Sequence, residues 1–308
     1  MMNFRYHVVS LIAVLFALSI GLVLGAGLLS SGTGTAAAVS VVDLQAETAL
    51  LRERVASAEA TLEFSDGVGE ATQADQVGAT LTDRRVVVVA LPGADPAAVS
   101  GTREALGASG ATVTGTIEVA EAWTDAASDA VLDSLAAQLV ASGATLPDTD
   151  GYERGAVVLA SALLDAAPTR NDDTATATAT AFAESDLLTL PEPVRGTAEL
   201  AVVVAGDPVA DDGEAGRRLG ALTSLAAAFD TEGAGAVLAG PPPSAADGGV
   251  VQAVRADADL AAVLSTVDMV QLSSGRTSAV LALAEQQAGG VGHYGAVGEV
   301  DGALPAQP

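Results

Sequence analysis

The alternation of apolar and polar positions divides the chain into three regimes. From Val8 to Ser31 no residue is charged, and only Ser10 and Ser19 interrupt the apolar run before Ser30. Roughly 20 apolar residues rising about 1.5 Å each span a hydrocarbon core of about 30 Å. The run predicts a transmembrane helix, and residues 1–35 form an expected membrane anchor. It is longer than the ~7–15-residue apolar stretch of a cleaved signal peptide. The small residues Gly25, Ala26 and Gly27 and those from Ser30 to Ala38 keep cleavage as the second reading. Arg5 precedes the run and the next charge is Asp43. An excess of positive charge stays on the cytoplasmic side, so the expected topology is single-pass, N-terminus in the cytoplasm and the rest outside. Within the run, Ala17, Gly21 and Gly25 form a small-xxx-small face of the kind that lets two helices approach closely in lipid.

The second regime, residues 36–65, has a period near 3.5. Val41, Leu44, Thr48, Leu51, Val55, Ala58 and Leu62 alternate at spacings of four and three, as in the seam of a coiled coil. With Val41 at position a, Glu47 and Arg54 occupy g, while Arg52 and Glu59 occupy e. A parallel pair of chains would set Glu47 against Arg52 and Arg54 against Glu59, opposite signs in both cases. The pattern predicts a short coiled-coil stalk and a homodimer. A single amphipathic helix packed on its own domain is the other reading. Residues 66–83 are polar and contain glycine, and read as a linker.

The third regime, residues 84–308, reads as an exterior α/β domain. The continuous β-branched run Arg85 to Leu91 is the signature of a strand buried on both faces. Asp95 and Pro96 supply an N-cap and a first-turn proline for a helix to about Ala108. Residues 111–119 then form a second strand. The unit recurs: a strand over 200–205, a helix over 214–229 and a strand over 235–239. Two βαβ units predict a doubly wound, mostly parallel sheet flanked by helices. Helices are expected over 125–142, 152–166 and 276–288. The repeat Thr174 to Ala181 lacks large side chains and reads as a loop or as an insertion tolerated within a helix. Residues 289–298 are glycine-rich.

Composition narrows the partners. The net charge is −26, and all 13 basic residues are arginine. Such a chain repels phosphate backbones, which argues against nucleic acid. Cysteine is absent, which removes disulfides, thiolate metal sites and cysteine nucleophiles. Aromatic residues make up only 3% of the chain, so the core must be built from Val, Leu and Ala in close contact.

Candidate chemistry is sparse. No phosphate-binding glycine fingerprint follows either predicted first strand, and there is no G-x-S-x-G elbow. His7 and His293 are the two histidines, so catalysis through a histidine could rest only on His293. Asp207, Asp211 and Asp212 follow the carboxyl end of a strand, where α/β sheets gather ligands. They could meet a hard cation, but a solvated, helix-capping turn accounts for them as well. Thioether and imidazole are ligands for copper, which makes Met269 and His293 the candidate metal pair of the exterior domain. No other cofactor is implied, and an enzyme is not expected.

The segment Asn3-Phe-Arg-Tyr-His7-Val-Val-Ser-Leu11 with the Gly21-x-x-x-Gly25 helix resembles the N-terminus of the MctB copper transporter family. Ser265-Thr-Val-Asp268, Ala279-Val-Leu-Ala-Leu283 and Gly292-His-Tyr-Gly295 resemble its C-terminal part. The succession of anchor, coiled coil and α/β domain is similar along nearly the whole chain. The resemblance implies a role in copper efflux or copper homeostasis in the envelope of a high-GC bacterium. An envelope scaffold that binds a protein partner is the alternative.

Overall fold

The computed structural model describes residues 34–141, 144–165 and 172–305. The predicted membrane helix and its Ala17, Gly21 and Gly25 face lie outside the described residues. Among the described residues, no helix is long and apolar enough to cross a membrane. The chain divides into two compact units, Met1–Phe64 and Ser65–Pro308.

The first described element is a long helix, α1, over Gly34–Val77. The seam residues Val41, Leu44, Thr48, Leu51, Val55, Ala58 and Leu62 all fall within it. The expected linker over residues 66–83 is corrected: the chain stays helical to Val77. The glycines that suggested a break have another use. A Cβ on Gly69 would stand 2.2 Å from the Ser273 hydroxyl, so this glycine lets the helix approach its neighbour. Asp66 accepts the Ser273 N–H at 2.6 Å, and the Gln73 amide donates to the Ser273 carbonyl at 2.9 Å. Gln73, Val77 and Leu81 are buried. Each mid-helix glycine costs about 1 kcal/mol of helix propensity, and these contacts outweigh it.

The domain that follows is built on seven strands: β1 (Arg85–Ala90), β2 (Thr112–Val119), β3 (Leu188–Thr189), β4 (Leu200–Val204), β5 (Ala236–Ala239), β6 (Ser265–Val267) and β7 (His293–Tyr294). Their order is β3-β2-β1-β4-β5-β6-β7, parallel throughout except for β3. The helices are α2 (Pro96–Ala108), α3 (Ser128–Leu139), α4 (Gly151–Leu163), α5 (Asp172–Glu184), α6 (Ala215–Thr231), α7 (Val250–Ala256), α8 (Ala258–Ala261) and α9 (Ser273–Gln287). The expected α/β class and mostly parallel sheet are therefore present. Asp95 caps α2, accepting from the Ala97 N–H at 2.9 Å, with Pro96 in the first turn. The Thr174 to Ala181 repeat is helical, within α5. Its Ala175, Thr178, Ala179 and Phe182 are buried at helical spacing, and Phe182 stacks on Trp123 with ring centroids 5.9 Å apart.

Alternate residues of each strand feed two cores. Val87, Val89, Val203 and Leu238 pack with α4, α6 and α7 on one face. Val86, Val88, Val202, Val237 and Val267 pack with α2 and α9 on the other. This layering reveals a reversal in the last crossover. The β4–α6–β5 and β5–α7–β6 connections step across the sheet over the first face. The β6–α9–β7 connection steps in the same direction over the opposite face, so it has the opposite hand. Parallel crossovers are right-handed in about 98% of cases, and nothing local in a two-residue strand overrides that preference. Contacts elsewhere must hold β7 in place.

Candidate functional site

Two places in the domain could carry chemistry. The first is the crevice outside the carboxyl ends of β1 and β4, where the strand order reverses. Such switch points bind ligands in open α/β sheets. Leu91 to Gly93 and Gly206 to Ala210 form its walls, and Glu121, Asp125, Asp207 and Arg218 reach its surface around a cavity of about 400 Å³. Asp212 is committed elsewhere: its carboxylate accepts from Arg218 at 2.5 and 3.1 Å and from the Glu214 N–H at 3.1 Å. The hydrogen bonds from Arg218 hold its pKa below the usual carboxylate value. Among the described residues, no group of three His, Asp or Glu converges as a metal site. Asp207, Asp211 and Asp212 are thus not assembled as a cation cage.

The second place is where the two C-terminal motifs meet. β6 and β7 pair so that Thr266 faces His293 and Val267 faces Tyr294. This brings Ser265-Thr-Val-Asp268 and Gly292-His-Tyr-Gly295 together around one buried charge. The Asp268 side chain is fully buried and that of Arg255 is 10% exposed, and the two form an ion pair of 2.9 Å. Arg255 also donates to the Thr266 hydroxyl at 2.8 Å, the Val297 carbonyl at 2.9 Å and the Tyr294 carbonyl at 3.0 Å. Asp268 accepts two further N–H groups, from Ala296 at 2.8 Å and Val297 at 3.2 Å. Gly295 has a φ of +137°, and a Cβ there would lie 2.1 Å from the Asp268 carboxylate. The charge is therefore paired, hydrogen-bonded and enclosed by backbone. These bonds tie α7, β6, β7 and the loop after β7 into one unit, which is what the reversed crossover requires.

His293 sits at the edge of this network. Its Nδ1 is 3.0 Å from the Thr266 hydroxyl oxygen. That oxygen also accepts from Arg255 at 2.8 Å, so the His293 ring joins the margin of the Arg255 network. Burial, followed by the Arg255 charge, holds the His293 pKa below its ordinary value of 6.5, with the Asp301 charge pulling the other way. A lowered histidine pKa means that the unfolded chain binds the proton more tightly. The stability this histidine contributes is then complete above about pH 6.5 and is lost as the pH falls towards the folded value. Thermal unfolding followed from pH 8 to pH 5 should show a smaller loss in a His293→Gln variant than in the native chain.

Met269 and His293, the candidate metal pair, take different places in the fold. Met269 lies past the end of β6 against Gly275 at the start of α9, while His293 faces Thr266 on the Arg255 side. The strand alternation that puts Val267 in the core beneath α9 sends Thr266 to the opposite face. Arg255 and the role of Asp268 escaped the reading of the sequence. The available signal was a single acidic residue inside the apolar run Val263 to Val270, together with an arginine directly after Val250, Val251 and Val254.

A second polar chain lies nearby. Ser265 donates to the Gln286 amide oxygen at 2.7 Å, and the Gln286 amide nitrogen donates to Asp230 at 2.7 Å. Asp230 also accepts the Ala236 N–H at 3.0 Å. Burial raises the Asp230 pKa, partly countered by those two hydrogen bonds.

Comparison with known proteins gives these motifs their context. A family model described as "Copper transport outer membrane protein, MctB" matches residues 1–305. The copper transporter MctB of Mycobacterium tuberculosis is 31% identical over 304 residues, covering 96% of each chain, and that of Mycobacterium bovis matches equally. The copper transporter MctB of Mycobacterium leprae is 30% identical over 307 residues, again covering 96% of each. A match that runs through the α/β domain, including the paired motifs around Asp268, establishes that this chain belongs to the MctB family of copper transport proteins.

Proposed function

We propose that this protein is a single-pass, membrane-anchored component of the cell envelope that takes part in copper transport and copper homeostasis without catalysing a reaction. The observation that carries the reading is the similarity over 96% of the chain to proteins named as copper transporters. Residues 1–35 serve as the anchor, residues 36–65 as a stalk joining two chains, and the α/β domain lies outside the membrane. Copper is cargo in this reading.

A scaffold role without direct copper chemistry is the second reading, and the His293 geometry favours it. Its Nδ1 lies 3.0 Å from the Thr266 hydroxyl, and a copper ion bound at that nitrogen would have to displace this contact. The domain then acts by holding an envelope partner. Cellular copper in a strain lacking the gene tests the main reading: the deletion should raise copper content and lower copper tolerance, and unchanged values would remove it.

A further inference from the structure

We propose that the apolar stripe of α1 from Leu44 to Leu62 is covered by the same stripe of a second copy of this chain, in a parallel and in-register two-stranded coiled coil. The inference rests on reading residues 36–65 as a stalk, and it names the occupant and the register.

Leu44 is 60% exposed, Leu51 51%, Val55 55% and Leu62 54%. These are large aliphatic side chains at d (Leu44, Leu51) and a (Val55, Leu62) positions along one helical stripe, and each exposes about half its surface. A row of that length and regularity marks an interaction surface rather than isolated exposed residues. The seam is also free of unsatisfied polar groups. Thr48, the polar residue at an a position, spends its hydroxyl on the Leu44 carbonyl at 2.6 Å, leaving its methyl to the partner.

Charge selects the partner and its direction. In a parallel, in-register pair each g residue meets the following e residue of the other chain. Glu47 then meets Arg52 and Arg54 meets Glu59, on both sides of the seam. Among the described residues, none of these four forms an ion pair within its own chain. The complementarity is complete when the second helix has this same sequence, which is why the occupant is a second copy.

The absence of cysteine from the chain makes the test direct. Single cysteines are placed in the full-length protein at d positions (Leu51→Cys, Ala58→Cys) and at the outward f positions (Glu53→Cys, Ala60→Cys), and membranes carrying each variant are oxidised. A disulfide needs Cβ atoms about 3.5–4.5 Å apart, so d-position variants should form roughly tenfold more linked dimer than f-position variants. Glu47→Arg should weaken the d-position link, and adding Arg52→Glu should restore it. Equal linking at f and d positions, no linking at d, or stronger linking between mixed Leu44→Cys and Leu62→Cys chains than between identical ones would overturn the proposal. Ala58→Cys removes no large side chain, so it reports even if Leu51→Cys is unstable. A chain that restores copper handling yet does not cross-link overturns the pairing alone.

Discussion

Replacing Asp268 by asparagine should lower the stability of the α/β domain by about 3–5 kcal/mol, the cost of leaving one member of a buried ion pair without its partner. For a domain of this size that corresponds to a fall of roughly 6–20 °C in the unfolding midpoint. The reason is local. Arg255 is 10% exposed, and three of its remaining bonds go to neutral acceptors. The guanidinium is held by the Tyr294 carbonyl of β7 and the Val297 carbonyl of the loop after it. The double variant Arg255→Met with Asp268→Leu should lose less than the two single variants combined, because both charges leave together. Thermal or denaturant unfolding of the three variants checks this. A loss under about 1 kcal/mol for Asp268→Asn would show that the pair does not hold the reversed crossover.

The second large effect is expected at the β6–α9 corner. A Cβ on Gly275 would stand 1.9 Å from the Met269 carbonyl oxygen and 2.2 Å from its carbon. Both are backbone atoms, so no side-chain rotation relieves the clash. Gly275→Ala should destabilise by about 3 kcal/mol, at the upper end of ordinary overpacking. Gly220 provides the contrast. It lies in α6, exposed, and a Cβ there meets nothing within 4 Å. Gly220→Ala should stabilise by about 0.5–1 kcal/mol through helix propensity alone. The same chemical change should therefore act in opposite directions at two helical glycines, and unfolding midpoints measured side by side decide it.

Much of this architecture is legible in the sequence, and the exceptions have physical causes. The run Val86 to Val89 reads as a buried strand because burial on both faces leaves no polar position in it, and all four residues are fully buried. Asp95-Pro96 marks a helix start because capping is decided within three residues. The extension of α1 past residue 65 was hidden because Gly67 and Gly69 look like a break in a chain taken alone. Only the neighbouring Ser273 shows that Gly69 is a point of close approach. The strands β3 and β7 were missed for a related reason: two residues carry no periodicity, and their partners set them in place. The hand of the last crossover could not be read at all, since it depends on which face α9 covers.

The candidate site was legible as composition and not as geometry. Asp268 and His293 could be named from their motifs, yet the residue joining them is Arg255, from a helix about 40 residues before His293 in the chain. Met269 and His293 looked like a soft-metal pair because both are rare side chains here. In the fold, His293 pairs with Thr266 of β6, and Met269 lies past that strand against Gly275. What the motifs build is a closed network of charge and hydrogen bonds that fixes the end of the sheet, with His293 bonded at its margin.

The measurement that tests the central claim most directly is cellular copper in a strain lacking this gene, complemented with either the full chain or a chain beginning at residue 34. If the protein acts in copper transport from a membrane anchor, the deletion strain accumulates copper, the full chain restores the original level, and the chain without residues 1–33 does not. Unchanged copper in the deletion strain would contradict the transport role, and full restoration by the shortened chain would contradict the anchor.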